Sequence, residues 1–102
     1  MAANMNVAAG KTIIAEWTGE VYCRAAVAVD SCLMQLTVDG LPYQAPVLIA
    51  QVATTNGWGT HVMRRVVTGL SSGLHTFAIE IEVPSAGTSM SLDSQVLTLT
   101  SI

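Results

Sequence analysis

Charge is what this chain has least of. Asp, Glu, Lys and Arg together make up 11% of its residues, against roughly 25% in an ordinary soluble domain. Lys11, Arg24, Arg64 and Arg65 are the only basic side chains. That excludes a nucleic-acid binder, which needs a basic stripe. Arg64 and Arg65 are adjacent, so on a strand they face opposite sides and make no patch. Apolar runs long enough to span a membrane are missing. The start, MAANMNVAAGK, has neither the charged beginning nor the apolar block of a secretory signal, so the expectation is a soluble, cytoplasmically made product. Two cysteines are too few for a disulfide scaffold. Cys23 and Cys32 fall on what read as neighbouring strands of one hairpin, where a bridge is geometrically conceivable, but buried free thiols are expected in a reducing compartment. Helix-period segments of useful length are lacking as well.

What is present is apolar. Hydrophobic residues make up 51% of the 102 residues, enough for one core in a single domain, 1–102. A monomer with so few charges must cover its exterior with Thr, Ser, Ala, Gly and Gln, and is poorly protected against association. The deficit therefore points to an exterior that meets copies of itself or another protein.

The most informative segment is VVTGLSSGLHTFAIEIEV, residues 66–83. A strand ends at Val67, a tight connection runs from Gly69 to Gly73, and a second strand alternates strictly. Phe77, Ile79, Ile81 and Val83 point one way and Thr76, Ala78, Glu80 and Glu82 the other, the pattern of an antiparallel strand with one dry face. Turn signals recur every eight to twelve residues, as in a sandwich or barrel. Strands are expected over 11–17, closed by Thr18-Gly19, and over 20–28, 32–38, 47–53 and 60–67. The segment 90–101 reads as one or two more. Asp39-Gly40 marks a turn, and Pro42 and Pro46 hold the next loop extended. Strands 47–53 and 60–67 are apolar on both faces, which fits burial of their outer side in a subunit interface.

The chemistry is thin. His61 and His75 are the only imidazoles, and neither has a metal-ligand partner at close spacing. His75 shares a face with Phe77 and Ile79, so it should point inward and hydrogen-bond the backbone of the 69–73 turn. Ser71 in GLSSG has the spacing of the nucleophile elbow, but it precedes a strand where that motif needs a helix. Glu80 and Glu82 lie on one face at glycosidase-like spacing, yet a pair on a solvated face lacks the burial that shifts a carboxyl pKa. No catalytic residue, metal or cofactor is expected. Trp58, in the Gly-bracketed loop TTNGWG with Asn56 and near His61, is the candidate interaction residue. A Trp there can stack on a sugar, anchor a protein contact or fold back to cap the sandwich. Trp17 reads as core or rim.

Three segments carry a resemblance: LTVDG (36–40), VVTGLSSGLHTFAIEI (66–81) and the closing QVLTLTSI (95–102). Together, over about two-thirds of the chain, they resemble the small jelly-roll β-sandwich modules of tailed-phage structural proteins, found in tail appendages and capsid decoration proteins. In those modules a VDG strand end, a GL-xx-G-x-H-T turn and a final LTV strand recur in this order. The shared motif encodes turn geometry: Gly69 and Gly73 permit the bend, Leu70 tucks under and His75 starts the next strand. Fibronectin type III domains have a similar GL-x-P-G-x-x-Y turn, but Ser72 and Thr76 stand here where Pro and Tyr belong. The phage resemblance implies a homotrimer without enzymatic activity, placed on the virion. The expectation is thus an all-β antiparallel sandwich of jelly-roll (TNF-like) type with about eight strands. Its partners would be itself and a major capsid or other virion protein, acting as a decoration or cement protein. A tail tip that binds a receptor or glycan is the alternative; neither nucleic acid nor membrane is a partner.

Overall fold

The computed structural model describes residues 1–24, 30–52, 58–82, 87 and 89–102, with backbone alone for 30, 31 and 45–52. Seven strands are found among them, and no helix: β1 Ala2–Val7, β2 Ile13–Arg24, β3 Asp30–Val38, β4 Leu41–Val52, β5 Trp58–Val67, β6 Gly73–Glu82 and β7 Ser89–Ser101. They form two antiparallel sheets, one in the order β1-β6-β3-β4 and the other β5-β2-β7. The all-β antiparallel sandwich expected from alternation is therefore what the chain forms. The expected eight strands are seven among the described residues.

Connections from β2 to β3 and from β5 to β6 both pass from one sheet to the other, while β2 pairs with β5 and β3 with β6. Immunoglobulin-type sandwiches pair their second strand with the fifth and their third with the sixth in the same manner. Here the first and last strands have exchanged places, β1 lying beside β6 and β7 beside β2.

The strands differ from the sequence expectation in ways that have physical causes. Thr18-Gly19 does not end a strand: β2 runs through it for 12 residues. Gly19 faces inward, and a Cβ there would lie 2.6 Å from Cζ2 of Trp17. Glycine at that position makes room for the indole, a second use of Gly in strands besides stopping them. Opposite it, Ser94 and Gln95 form a bulge between Val96 and Asp93. The bulge brings Gln95 to Trp17, whose Nε1–H donates to Gln95 Oε1 at 3.1 Å. Residues 41–46, expected as an extended loop, belong to β4. An edge strand tolerates Pro42, and Pro46 falls where the register with β3 shifts between Val47 and Tyr43. β1 was not foreseen; its AANMNV is too polar to read as a core strand, and it is held at the sheet edge by pairing with β6.

Trp17, Phe77, Ile13, Met34 and Leu36 form the centre of the core, all fully buried. Thus Trp17 is core, and of the predicted inner stripe of β6, Phe77 and Ile79 are buried. Ile81 is 46% exposed, three residues past Ala78, where the pairing with β1 ends. Val83 lies outside the described residues. On β5, Met63 and Val67 are buried while Val62 and Val66 are exposed, so that strand is apolar on both faces; the side chains of 47–53 fall outside the description.

Cys23 and Cys32 are not free thiols. They form a disulfide, and their strands lie in different sheets, so the bridge staples one layer to the other. Neighbouring strands of one hairpin was the wrong geometry, because the connection after β2 changes sheets.

Candidate functional site

Two groups of side chains stand out, one at each end of the sandwich. The first surrounds His75. Val38 pairs with Leu41 across a two-residue turn, and Asp39 and Gly40 both have positive φ, 53° and 84°. This is the conformation that Asp-Gly favours in a tight hairpin. The turn aims the Asp39 carboxylate at β6: Oδ1 accepts from the Thr76 amide at 2.9 Å and Oδ2 from His75 Nδ1. The other ring nitrogen of His75, Nε2, donates to the Ser71 carbonyl at 2.7 Å. His75 is buried, as expected, and bonds the 69–73 turn, as expected; its ion pair with Asp39 is the part that sequence reading missed.

Both ring nitrogens face acceptors, so the imidazolium is the form that satisfies them. The Asp39 carboxylate, followed by the Ser71 carbonyl, holds the His75 pKa above its ordinary value. The Thr76 amide, followed by the His75 ring, holds the Asp39 carboxyl below its own. A base whose second nitrogen is already committed to a backbone carbonyl cannot take a proton from a hydroxyl, so the Asp39–His75 pair lacks what a serine triad needs. Around it, Thr76 Oγ1 donates to Asn4 Oδ1 of β1 at 2.8 Å. Tyr43 Oη donates to the Val66 carbonyl at 3.1 Å and accepts from the Thr68 amide at 3.3 Å. Gly69 (φ 76°) and Gly73 (φ 132°) adopt backbone that other residues avoid, and Leu70 packs against the core between them. The turn group predicted from the sequence is brought together, as a structural clasp.

The second group lies on the outer face of the β5-β2-β7 sheet. Trp58 opens β5 opposite Tyr22 and is 54% exposed. The two rings meet edge to face, with centroids 5.6 Å apart and planes at 67°. Thr60, two residues on, faces Glu20 across the strand pair. Trp58, Gly59, Thr60 and Glu20 line an open depression. His61 belongs to the opposite face of β5, half-buried with its ring against Gly59. Trp58 and His61 are thus not one site, and Asn56 lies outside the described residues. Glu20, Tyr22 and Thr60 were not singled out from the sequence. Alternation in 20–28 could have put Glu20 and Tyr22 on one face, but nothing local says that β5 pairs there.

Other chemistry is absent among the described residues. No three His, Cys, Asp or Glu side chains are grouped to hold a metal ion. Glu80 accepts from Gln35 Nε2 at 3.1 Å on an exposed face, and Glu82 is exposed beside it, so the carboxylate pair is a solvated one. No helix among these residues is long and apolar enough to cross a membrane. No family model, curated protein or solved structure matches the chain.

Proposed function

We propose that this chain is a non-enzymatic structural module that works by surface contact, a homotrimer that decorates a virion capsid. One observation carries the contact reading: the outer face of the β5-β2-β7 sheet exposes apolar side chains, set between the charged rows of Arg64 with Glu16 and of Glu20 with Asp93. Val62 and Val96 flank Thr18 in one cross-strand row, 59% and 54% exposed, and Val66 sits beside Ile14 in another. Exposed apolar rows on a flat sheet are what a partner surface covers, and a second copy of the chain supplies a matching face. Placement on a phage head rests on the resemblance of the 36–40, 66–81 and 95–102 segments. In this reading the immunoglobulin-type wiring replaces the jelly roll as the finer class of the fold.

Light scattering tests the assembly: a mass three times 10.7 kDa supports it, and a clean monomer at high concentration ends it. Binding to empty capsids with a rise in their melting temperature supports decoration. A protein that ignores capsids and adheres to host cells belongs to the second reading, a receptor- or glycan-binding tip. That reading is favoured by one observation, the exposed indole of Trp58.

A further inference from the structure

We infer that the depression beside Trp58 is a binding site for a neutral saccharide, with Trp58 as the stacking surface and Glu20 and Thr60 as the hydrogen-bonding groups. The site belongs to the second of the two readings and depends neither on trimer formation nor on a capsid.

Trp17, the other tryptophan, is fully buried and its N–H is bonded to Gln95. Trp58 is more than half exposed although Tyr22 packs an edge-to-face contact against it. That contact fixes the ring without covering it, so the exposed aromatic surface is preorganised. Gly59 contributes backbone alone to the wall, which leaves the depression open between Trp58 and Thr60.

Next come the polar groups. Thr60 is two residues from Trp58 on the same face, about 7 Å along the strand. Glu20 is its cross-strand partner, with Cβ atoms about 5 Å apart. An aromatic plane, a carboxylate and a hydroxyl therefore meet within one step of a strand pair, on the scale of a single sugar ring. The apolar C–H face of a pyranose packs on an indole, and a carboxylate accepts from neighbouring ring hydroxyls. A few fixed polar groups beside one aromatic wall are the usual composition of a small-ligand site.

Charge selects among saccharides. The row that crosses the sheet at this height is Thr60, Glu20 and Asp93, all three exposed. Two carboxylates and no base in that row repel sialylated, sulfated or phosphorylated sugars; the base of this face at this end, Arg24, stands two residues past Tyr22 on the side away from Glu20. A neutral hexose or its oligomer is the ligand class that this leaves.

The test uses the whole chain and named probes: methyl glucoside, methyl galactoside, N-acetylglucosamine and their oligosaccharides, with sialyllactose as the anionic probe. The two indole N–H resonances separate the site from the core. A neutral probe should move the Trp58 resonance, leave Trp17 in place and bind with a dissociation constant of about 1 mM for a single ring. Trp58→Ala should weaken binding at least about tenfold. Glu20→Gln should weaken it less and bring sialyllactose closer to the neutral probes. The inference is overturned if none of the neutral probes moves Trp58 at tens of millimolar, if Trp58→Ala binds as well as the parent, or if sialyllactose binds best. Failure here leaves the trimer and capsid measurements standing, and a monomer that binds sugar leaves this site standing.

Discussion

At one end of the sandwich the Asp39-Gly40 turn, the 68–72 arch and β1 are joined by hydrogen bonds that run through Asp39, His75, Thr76 and Tyr43. At the other end the link between the sheets is covalent, Cys23 to Cys32, and the apolar residues near it, Trp58 and Ile81, are about half exposed. Three of the connections, β2 to β3, β4 to β5 and β6 to β7, leave from this second end. The difference teaches a division of labour. Polar bonding closes the end where the turns are tight. A cross-link holds the layers together at the end where side chains are turned outward, leaving that end free to present them.

The largest test of this division is removal of the cross-link. The bridge spans nine residues of sequence, and closing a loop of that size restricts the unfolded chain by about 2–3 kcal/mol. Reduction, or Cys23→Ala with Cys32→Ala, should therefore lower the melting temperature by about 10–20 °C. An unchanged midpoint on reduction would show that the sheets are held at that end by packing alone. Next comes the waist between the two ends. Gly19→Ala sets a methyl 2.6 Å from the Trp17 ring; overpacking of this kind costs about 2 kcal/mol, although alanine is otherwise the better strand residue. A loss of stability with a red-shifted Trp emission is expected. A variant as stable as the parent would remove Trp17 from above Gly19. Tyr43→Phe, at the bonded end, deletes a hydroxyl that serves both Val66 and Thr68. About 1 kcal/mol should be lost, read from urea midpoints, and the disulfide end should show unchanged amide protection.

How much of this could be read from the residues differs between the two ends. The bonded end was legible because its signals are local: Asp-Gly predicts its turn, Gly69 and Gly73 bracket the arch, and the alternation from His75 to Ile79 faces the ring inward. The Asp39–His75 pair was not legible, since it joins residues 36 apart through a pairing of β3 with β6 that no local pattern encodes. At the other end the thiol expectation failed for the same reason. Whether two cysteines nine residues apart meet depends on the chain changing sheets between them, and periodicity is silent on that. Gly19 shows the converse error. A glycine beside a threonine reads as punctuation, but here its lack of a side chain serves a tryptophan two residues away. Trp58 was legible as a candidate because a large aromatic between glycines has few neighbours to hide behind, whereas Glu20 and Thr60 became its companions only through the β2–β5 register.

The smallest effect expected comes from the bonded end, where the pKa values of Asp39 and His75 are moved in opposite directions. Raising the His75 pKa in the folded state means that its contribution is complete below the ordinary value of 6.5 and is lost as pH rises through the raised one. Lowering the Asp39 pKa means that its contribution is present above 3.8 and is lost as pH falls through the lowered one. Stability from this pair should thus be greatest between those two ordinary values and decline on either side. Deprotonating His75 leaves a lone pair facing either the carboxylate or the Ser71 carbonyl, so the alkaline decline is a direct consequence of both nitrogens being occupied. In His75→Gln the alkaline limb above 6.5 should flatten, while Asp39→Asn should shift it toward lower pH by removing the main cause of the raised value. Urea midpoints across pH measure this. An alkaline limb that persists unaltered in His75→Gln would place the titrating group elsewhere.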